Sequence, residues 1–334
     1  MTERILVTGI TGFVGSHMAD LVLEKSGIEL FGLKRWHLSR MDHVAHMVDK
    51  INWIDCDITD PIGAMKAIEA VEPDRIFHCA AESFVSPSWD HPTRYMNVNY
   101  NGTLNLLEAL RITGSKAKFH IPGSGEEYGN IYESEIPINE QTVLRPVNPY
   151  AVTKVAQDLI GYVYHESYGI NVIRTRAFNH EGPRREKVFG IPWYAYQVAR
   201  IEAGIQEPVV KVGHIDDKRN FTHVRDMVEA YWLSTDKCKP GELYLVGSED
   251  ESKIFTFREA LEMLIENSSV KGITYVEDKE YVRPTNVPRL IGDMTKFQSA
   301  TGWEPKISFE KILRDTQDYW RKRVAQELNA QGDR

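Results

Sequence analysis

Tyr150 and Lys154 stand four residues apart in a segment opened by Asn148-Pro149, so on a helix their side chains share one face, one turn apart. A phenol has an ordinary pKa of about 10 and loses its proton near neutral pH only beside a positive charge. A lysine at i+4 is one way to fix that charge. Upstream, Lys118-Phe119-His120-Ile121 predicts a short buried strand, and Ser124 and Glu126 come just after it. From a strand end, the Ser124 hydroxyl can hydrogen-bond the substrate oxygen on which Tyr150 acts. A Tyr-x-x-x-Lys pair also arises by chance on amphipathic helices. What precedes it at the N-terminus decides.

Residues 4–15, RILVTGITGFVG, predict a strand, then Gly9, Gly12 and Gly15, then an amphipathic helix from about Ser16 to Lys25. Glycines at this spacing let the backbone turn tightly and approach a pyrophosphate, which sits at the positive helix N-terminus. A second strand, Glu29–Leu33, ends at Lys34-Arg35, where NAD-binding proteins usually carry an acidic residue for the ribose 2′-hydroxyl. Two cations there fit a 2′-phosphate, so NADP is expected over NAD. The alternative is a solvated basic pair at a strand end.

A third strand, Ile51–Ile54, leads to Asp57-Ile58, expected near the adenine, and Asp60-Pro61 predicts a helix start. The fourth strand, Arg75–His78, ends in Cys79-Ala80-Ala81, small enough for a flat cofactor to lie against. His78 is read as a packed core histidine, and Ser83 and Ser88 fall in the loop beyond, within reach of substrate or nicotinamide. A helix is expected over roughly Thr93–Thr113 and a sixth strand over Val172–Thr175. Strands alternating with helices over the first ~175 residues predict a parallel, doubly wound α/β sheet.

The pattern changes after Phe178. Asn179, Arg184 and Arg185 lie in a loop-like polar run, followed later by Lys218-Arg219 and Arg283-Pro284. Arginines converging from separate loops suit a diphosphate through bidentate, charge-assisted bonds. Each taken alone reads better as a solvated surface residue. The tail beyond about Val324 is polar and is expected to fray.

The totals narrow the class. The 334 residues are 42% hydrophobic and 26% charged, with a net charge of −8, which argues against nucleic acid as the main partner. No apolar run approaches the ~18 residues of a membrane span. Cys56, Cys79 and Cys238 are too few and too scattered for a disulfide framework or a cysteine metal site, and no metal is expected. A strand starting at Arg4 leaves no room for a signal peptide, so a cytoplasmic protein is expected.

Taken together, four ordered motifs resemble the extended short-chain dehydrogenase/reductase superfamily over nearly the whole chain. They are Thr8–Gly15, His78–Ala81, Ser124 with Tyr128-Gly129, and Tyr150–Lys154. Within it, Phe178–Arg185, Lys218–Phe221, Arg283-Pro284, Gly292-Asp293 and Gly302–Pro305 resemble the group of GDP-mannose 4,6-dehydratases and GDP-4-keto-6-deoxy-mannose reductases.

The resemblance implies a Rossmann-type domain over 1–177, rejoined by 222–247, and a smaller C-terminal α/β domain over 178–221 and 248–325 that binds a GDP-sugar, with 326–334 as a tail. It implies a cofactor held by Gly9, Thr11, Gly12, Phe13, Val14, Gly15, Lys34, Arg35, Asp57, Ile58, Ala80, Ala81, Tyr150 and Lys154. Substrate would be held by Ser83, Ser88, Asn179, Arg184, Arg185, Lys218, Arg219 and Arg283. It also implies a homodimer through helices near 93–113 and 150–168, or a homotetramer.

The implied chemistry is a 4,6-dehydration. Tyr150 takes the C4 hydroxyl proton as hydride leaves, Ser124 holds that oxygen, and Lys154 lowers the Tyr150 pKa. Glu126 removes the C5 proton, water leaves from C6, and hydride returns there. Three positions depart from the group's pattern: Gly125 where Ser is usual, Asn286 where Glu is usual, and Gly182, more typical of the reductases. Arg184-Arg185 points back to the dehydratases. The expectation is a GDP-mannose 4,6-dehydratase using NADP. The rivals are an NADPH-dependent reductase of the 4-keto-6-deoxy sugar, a nucleotide-sugar 4-epimerase, and a non-catalytic nucleotide-binding protein.

Overall fold

A strand that is apolar on both faces belongs in the middle of a sheet covered from both sides. In the computed structural model, which describes residues 2–248, 254–282, 284–285 and 287–332, Ile5, Leu6 and Val7 of β1 (Glu3–Thr8) are fully buried. Their side chains alternate as the pleat demands: Leu6 enters one hydrophobic cluster, Ile5 and Val7 the other.

Around β1 lie β2 (Ile28–Lys34), β3 (Asn52–Asp55), β4 (Arg75–His78), β5 (Lys118–Ser124) and β6 (Val172–Ala177). Helices α1 (Phe13–Leu23), α2 (Pro61–Val71), α3 (Pro92–Tyr95), α4 (Gly102–Thr113) and α5 (Pro149–Tyr168) connect them. The sheet is parallel, in the order β11-β6-β5-β4-β1-β2-β3, where β11 is Leu243–Val246. This is a Rossmann-type α/β fold. Its strand order reverses between β1 and β4, and a doubly wound sheet opens its ligand crevice at the carboxyl ends of the strands at such a point.

The helix expected over 93–113 is interrupted. Between α3 and α4 the backbone widens into a π-helical turn, Met96–Asn101. Buried Asn99 there donates to the Glu82 carbonyl at 3.0 Å and to Thr153 Oγ1 at 2.9 Å. Gly102 then permits contact with Ile58, whose Cδ1 would lie 2.6 Å from any Cβ. Helix α1 starts at Phe13, earlier than the expected Ser16.

Beyond β6 the chain forms β7 (His180–Glu181), α6 (Gly190–Glu202), β8 (Val209–Val212), β9 (Lys218–Asn220) and β10 (Thr222–His223). It then returns to the main sheet: α7 (Val224–Lys237) packs on α1, and β11 pairs with β6 at the edge. After β11 come β12 (Ile254–Thr256), α8 (Phe257–Glu266), β13 (Thr274–Glu277), β14 (Arg289–Leu290), α9 (Thr295–Thr301) and α10 (Phe309–Gly332). Helices α6, α8 and α10 enclose a separate cluster that includes Ile191, Leu261, Leu264 and Leu313.

The expected fraying is corrected for 326–332, since α10 continues to Gly332; 333–334 lie outside the described residues. Leu328 packs against that second cluster, and the Tyr196 hydroxyl donates to Glu327 at 3.3 Å. Among the described residues, no helix is long and apolar enough to cross a membrane.

Candidate active site

The turn after β1 is shaped by what it must admit. Gly9 has φ +63°, and a Cβ there would lie 2.6 Å from the Ala80 nitrogen. A Cβ on Gly15 would meet the Gly9 carbonyl at 2.2 Å. Gly12 caps α1 and brings no side chain to its first-turn N–H groups. A tight turn, close strand-to-helix packing and an open helix N-terminus together fit the pyrophosphate of a dinucleotide. Fully buried His78 bridges Thr8 Oγ1 (2.8 Å) and Thr103 Oγ1 (2.9 Å), and burial pushes its pKa down to about 3, so it is a neutral core histidine.

Tyr150 and Lys154 are presented by α5. Asn148 caps this helix, its Oδ1 accepting from the Ala151 N–H at 2.8 Å, with Pro149 at the first helical position. Tyr150 is buried under the edge of the Tyr95 ring. Burial pushes its phenol above the ordinary value; a hydrogen bond with Ser124 opposes this, while the Glu126 and Glu127 charges add to it. Lys154 is also buried. Its ammonium donates to the Pro122 carbonyl at 2.6 Å and to Gln157 Oε1, and burial pushes its pKa down against the pull of Glu127 and Asp158.

Ser124 ends β5 and caps a short 3-10 turn, Gly125–Glu127, in which the two glutamates part. Glu126 is half-buried and lines a cavity of about 860 Å³ together with Ser124, Tyr150, the glycine turn, Asn179, Arg185 and Arg219. Its Oε2 accepts from Asn148 Nδ2 at 3.2 Å. Glu127 points the other way and is fully buried.

The cavity brings together Gly9, Gly12, Phe13, Val14, Gly15, Ala81 and Ser83 with those groups. Arg185 lies in its wall, stacked over Phe189 and Phe13, its guanidinium donating to the His180 carbonyl. Glu181 is a further wall residue, buried, with its pKa pushed up to about 7 by that burial against the opposing Arg185 charge.

Three expected substrate contacts are corrected. Ser88 is fully buried on the 3-10 turn Ser86–Ser88 and is not part of the cavity wall; Ser86 lines it instead. Arg184, at φ +70°, turns back onto α1, its Nη1 2.6 Å from Asp20 Oδ2. Lys218 is exposed in β9, outside the cavity wall, whereas its neighbour Arg219 turns inward. Arg283 and Asn286 lie outside the described residues.

The expected adenosine contacts sit at the ends of β2 and β3. Lys34 Nζ is 2.5 Å from Asp55 Oδ1, and Arg35 is exposed. Asp57 accepts from the Thr59 N–H and hydroxyl, while Ile58 is buried. Thr11 is half-buried in the turn, and the Ala80 N–H donates to Thr8 Oγ1 at 3.1 Å.

The model of the family described as GDP-mannose 4,6 dehydratase matches residues 6–316. The chain belongs to that family. Its place within the extended short-chain dehydrogenase/reductase superfamily follows from the same match and from the shared fold. Relatives bear both of the group's names. A GDP-6-deoxy-D-mannose reductase from Pseudomonas aeruginosa is 32% identical, over 98% of this chain and 100% of that protein. A GDP-mannose 4,6-dehydratase from Yersinia enterocolitica is 31% identical, over 93% and 91%. Among solved structures, RMD from Pseudomonas aeruginosa complexed with NADPH has a TM-score of 0.83 at 30% identity, over 96% and 100% of the two chains. A Thermus thermophilus UDP-glucose 4-epimerase complexed with NAD has a TM-score of 0.82 at 28% identity, over 95% and 99%.

Proposed function

We propose that this family member is a nucleotide-sugar 4,6-dehydratase, converting GDP-mannose to GDP-4-keto-6-deoxy-mannose. One observation carries the reading: a carboxylate, Glu126, shares a cavity wall with Ser124 and Tyr150. Reducing a ketone requires a proton donor and a hydride; elimination across C5 and C6 requires in addition a base for the C5 proton. A nicotinamide cofactor, when bound against the glycine turn, supplies hydride acceptance at C4 and hydride return at C6.

The chain's own groups do the rest. Tyr150 Oη takes the C4 hydroxyl proton, Ser124 Oγ holds that oxygen, and the Lys154 ammonium stabilises the phenolate. Glu126 takes the C5 proton, which the adjacent ketone acidifies, and passes it to the C6 hydroxyl, which leaves as water; as hydride returns to C6, C5 takes a proton from solvent, matching the one that Tyr150 releases. Asn179, Arg185 and Arg219 hold the diphosphate. NADP is the proposed cofactor, with Arg35 at the end of β2 the 2′-phosphate ligand and Lys34 joining it by exchanging away from Asp55; NAD is the alternative.

In this reading 1–177 with 222–247 holds the cofactor, and 178–221 with 248–325 holds the nucleotide sugar. A cytoplasmic homodimer or homotetramer completes it. The test is incubation with GDP-mannose and no added reductant: loss of one water by mass, without net change at the nicotinamide absorbance, supports a dehydratase.

A second reading, a reductase of GDP-4-keto-6-deoxy-mannose, is favoured by the full-length match to the Pseudomonas reductase and by Gly182. Inert GDP-mannose with stoichiometric NADPH consumption on the keto sugar would select it.

A further inference from the structure

Behind the Tyr150–Lys154 pair lies a group of charges that the chemistry above does not use. Glu127, beside Glu126 in the turn after β5, is wholly buried. One carboxylate oxygen accepts from the Ser124 N–H at 2.7 Å, and the other lies 2.7 Å from Arg176 Nε. Arg176 reaches on to Asp158 at 2.5 Å, and Asp158 also pairs with Arg174 at 3.1 Å. The fold makes room for this group: a Cβ on Gly123 would lie 2.4 Å from Glu127 Oε1.

Burying ions is expensive unless each is paired and hydrogen-bonded. Two carboxylates and two guanidiniums would balance by themselves, and such a group could be replaced by apolar side chains of similar volume at little loss of stability. The ammonium of Lys154 adds a further positive charge to the same interior. Its surroundings are Glu127 from the turn after β5, Asp158 one turn further along α5, and Cys79 at the end of β4. Buried His78 on β4 and His120 on β5 face it as neutral rings. Glu127, itself pushed up to about 7 by burial against the pull of Arg176, and Asp158 are the carboxylates that oppose the desolvation of this ammonium, and Glu127 also touches the backbone of Ser124.

We propose that Glu127 is a positioning residue for the proton relay: one oxygen fixes the Ser124 backbone, and its charge, coupled to Asp158 through Arg176, keeps Lys154 an ammonium. The proposal rests on Ser124, Tyr150 and Lys154 forming the relay, whichever nucleotide sugar is the substrate. It separates the roles of two adjacent glutamates. Glu126 meets substrate, while Glu127 acts through Ser124 and Lys154.

The test begins with the wild-type holoenzyme and needs no sugar. NMR of ε-13C-labelled lysine, with the Lys154 resonance assigned through Lys154→Arg, follows its titration. An ammonium at pH 7 is expected; a neutral amine at pH 7 overturns the proposal whether or not any variant folds. Removing a nearby negative charge disfavours the ammonium, so Glu127→Gln and Asp158→Asn should each move that titration, and the alkaline limb of kcat, down by about one pH unit.

With the substrate that the wild type turns over, Glu127→Gln should lower kcat about 10- to 100-fold with little change in KM. Folded variants that keep both the titration and kcat would overturn the proposal. Loss of thermal stability without either shift would make the group merely structural, and would overturn it as well. If neither GDP-mannose nor the keto sugar reacts with wild type, the functional reading fails, and the lysine titration still decides the role of Glu127.

Discussion

Asn148 bonds in two directions with one amide: its Oδ1 caps α5 at the Ala151 N–H, and its Nδ2 donates to Glu126 Oε2 at 3.2 Å. The start of the helix that carries Tyr150 is thereby tied to the carboxylate proposed to work opposite it. Asn148→Ala removes both bonds. It should cost about 1 kcal/mol through the lost cap and lower turnover by about tenfold through a less ordered Glu126. Urea unfolding and steady-state rates check the pair of effects; a stability loss with unchanged turnover would confine Asn148 to capping.

Glu126→Gln preserves the size of the side chain and an acceptor for Asn148 while removing the base. The variant should fold and bind cofactor normally, yet fail to exchange the C5 proton with deuterated solvent, with kcat reduced by about 100-fold or more. Exchange at the wild-type rate would remove Glu126 from the role of base.

Cofactor choice is tested at the end of β2. The ion pair between Lys34 and Asp55 leaves Arg35 as the cation already exposed there. Arg35→Ala should weaken NADP by about tenfold and leave NAD nearly unchanged, since only one carries the 2′-phosphate that a guanidinium grips. The Lys34/Arg35 double alanine variant should go further. Equal wild-type affinity for the two cofactors by calorimetry would refute the assignment.

Acid should weaken the fold well before the ordinary, solvated carboxylates are protonated. Burial pushes the pKa values of His17, His78 and His120 down to about 3, and those of His180 and His223 to about 4. The unfolded chain takes up these protons near pH 6.5, the folded one far lower, so between those values the unfolded state binds more protons and stability falls with pH. Each such histidine contributes about 1.5 kcal/mol of loss between pH 6.5 and 5. Glu127 and Glu181, pushed up by burial, act in the opposite sense but are fewer. Urea midpoints should drop over this range, and the drop should be shallower in His120→Gln; a flat profile would contradict the buried neutral rings.

The proposed dimer has a candidate seam on α5, where Val152, Leu159, Tyr162 and Val163 remain exposed. Leu159→Glu should produce a monomer by sedimentation. An unchanged oligomer would move the interface elsewhere.

The fold was legible because its signals are local. Glycine spacing after an apolar run, and Tyr-x-x-x-Lys after Asn-Pro, each describe backbone that a few residues determine. The site was legible to the level of segments but not of individual side chains. Glu126 and Glu127 have the same composition and nearly the same context, and only the direction of a 3-10 turn sends one to the cavity and the other to Arg176. Arg184 and Arg185 divide in the same way, because the positive φ of Arg184 swings it towards Asp20. Ser88 reads from the sequence as a loop hydroxyl because a single turn of 3-10 helix leaves no periodic trace. The polar end of α10 hid its helix for a related reason: one apolar residue, Leu328, is too sparse a pattern to show which face it buries.

The return of β11 to the edge of the sheet has a consequence for how this protein can be made and divided. Every residue of β6 is buried, and its outer neighbour arrives only after 65 further residues, the first of which, 178–221, run through the other half of the molecule. A fragment ending at Ala177 would therefore carry a bare strand edge with unpaired backbone N–H and C=O groups, a template for pairing with other chains. During synthesis, too, the nucleotide half stays open on that side until its partner half has begun to form. The halves are neighbours in space but one event in time, and a cut at Phe178, where the sequence pattern changes, leaves that edge bare.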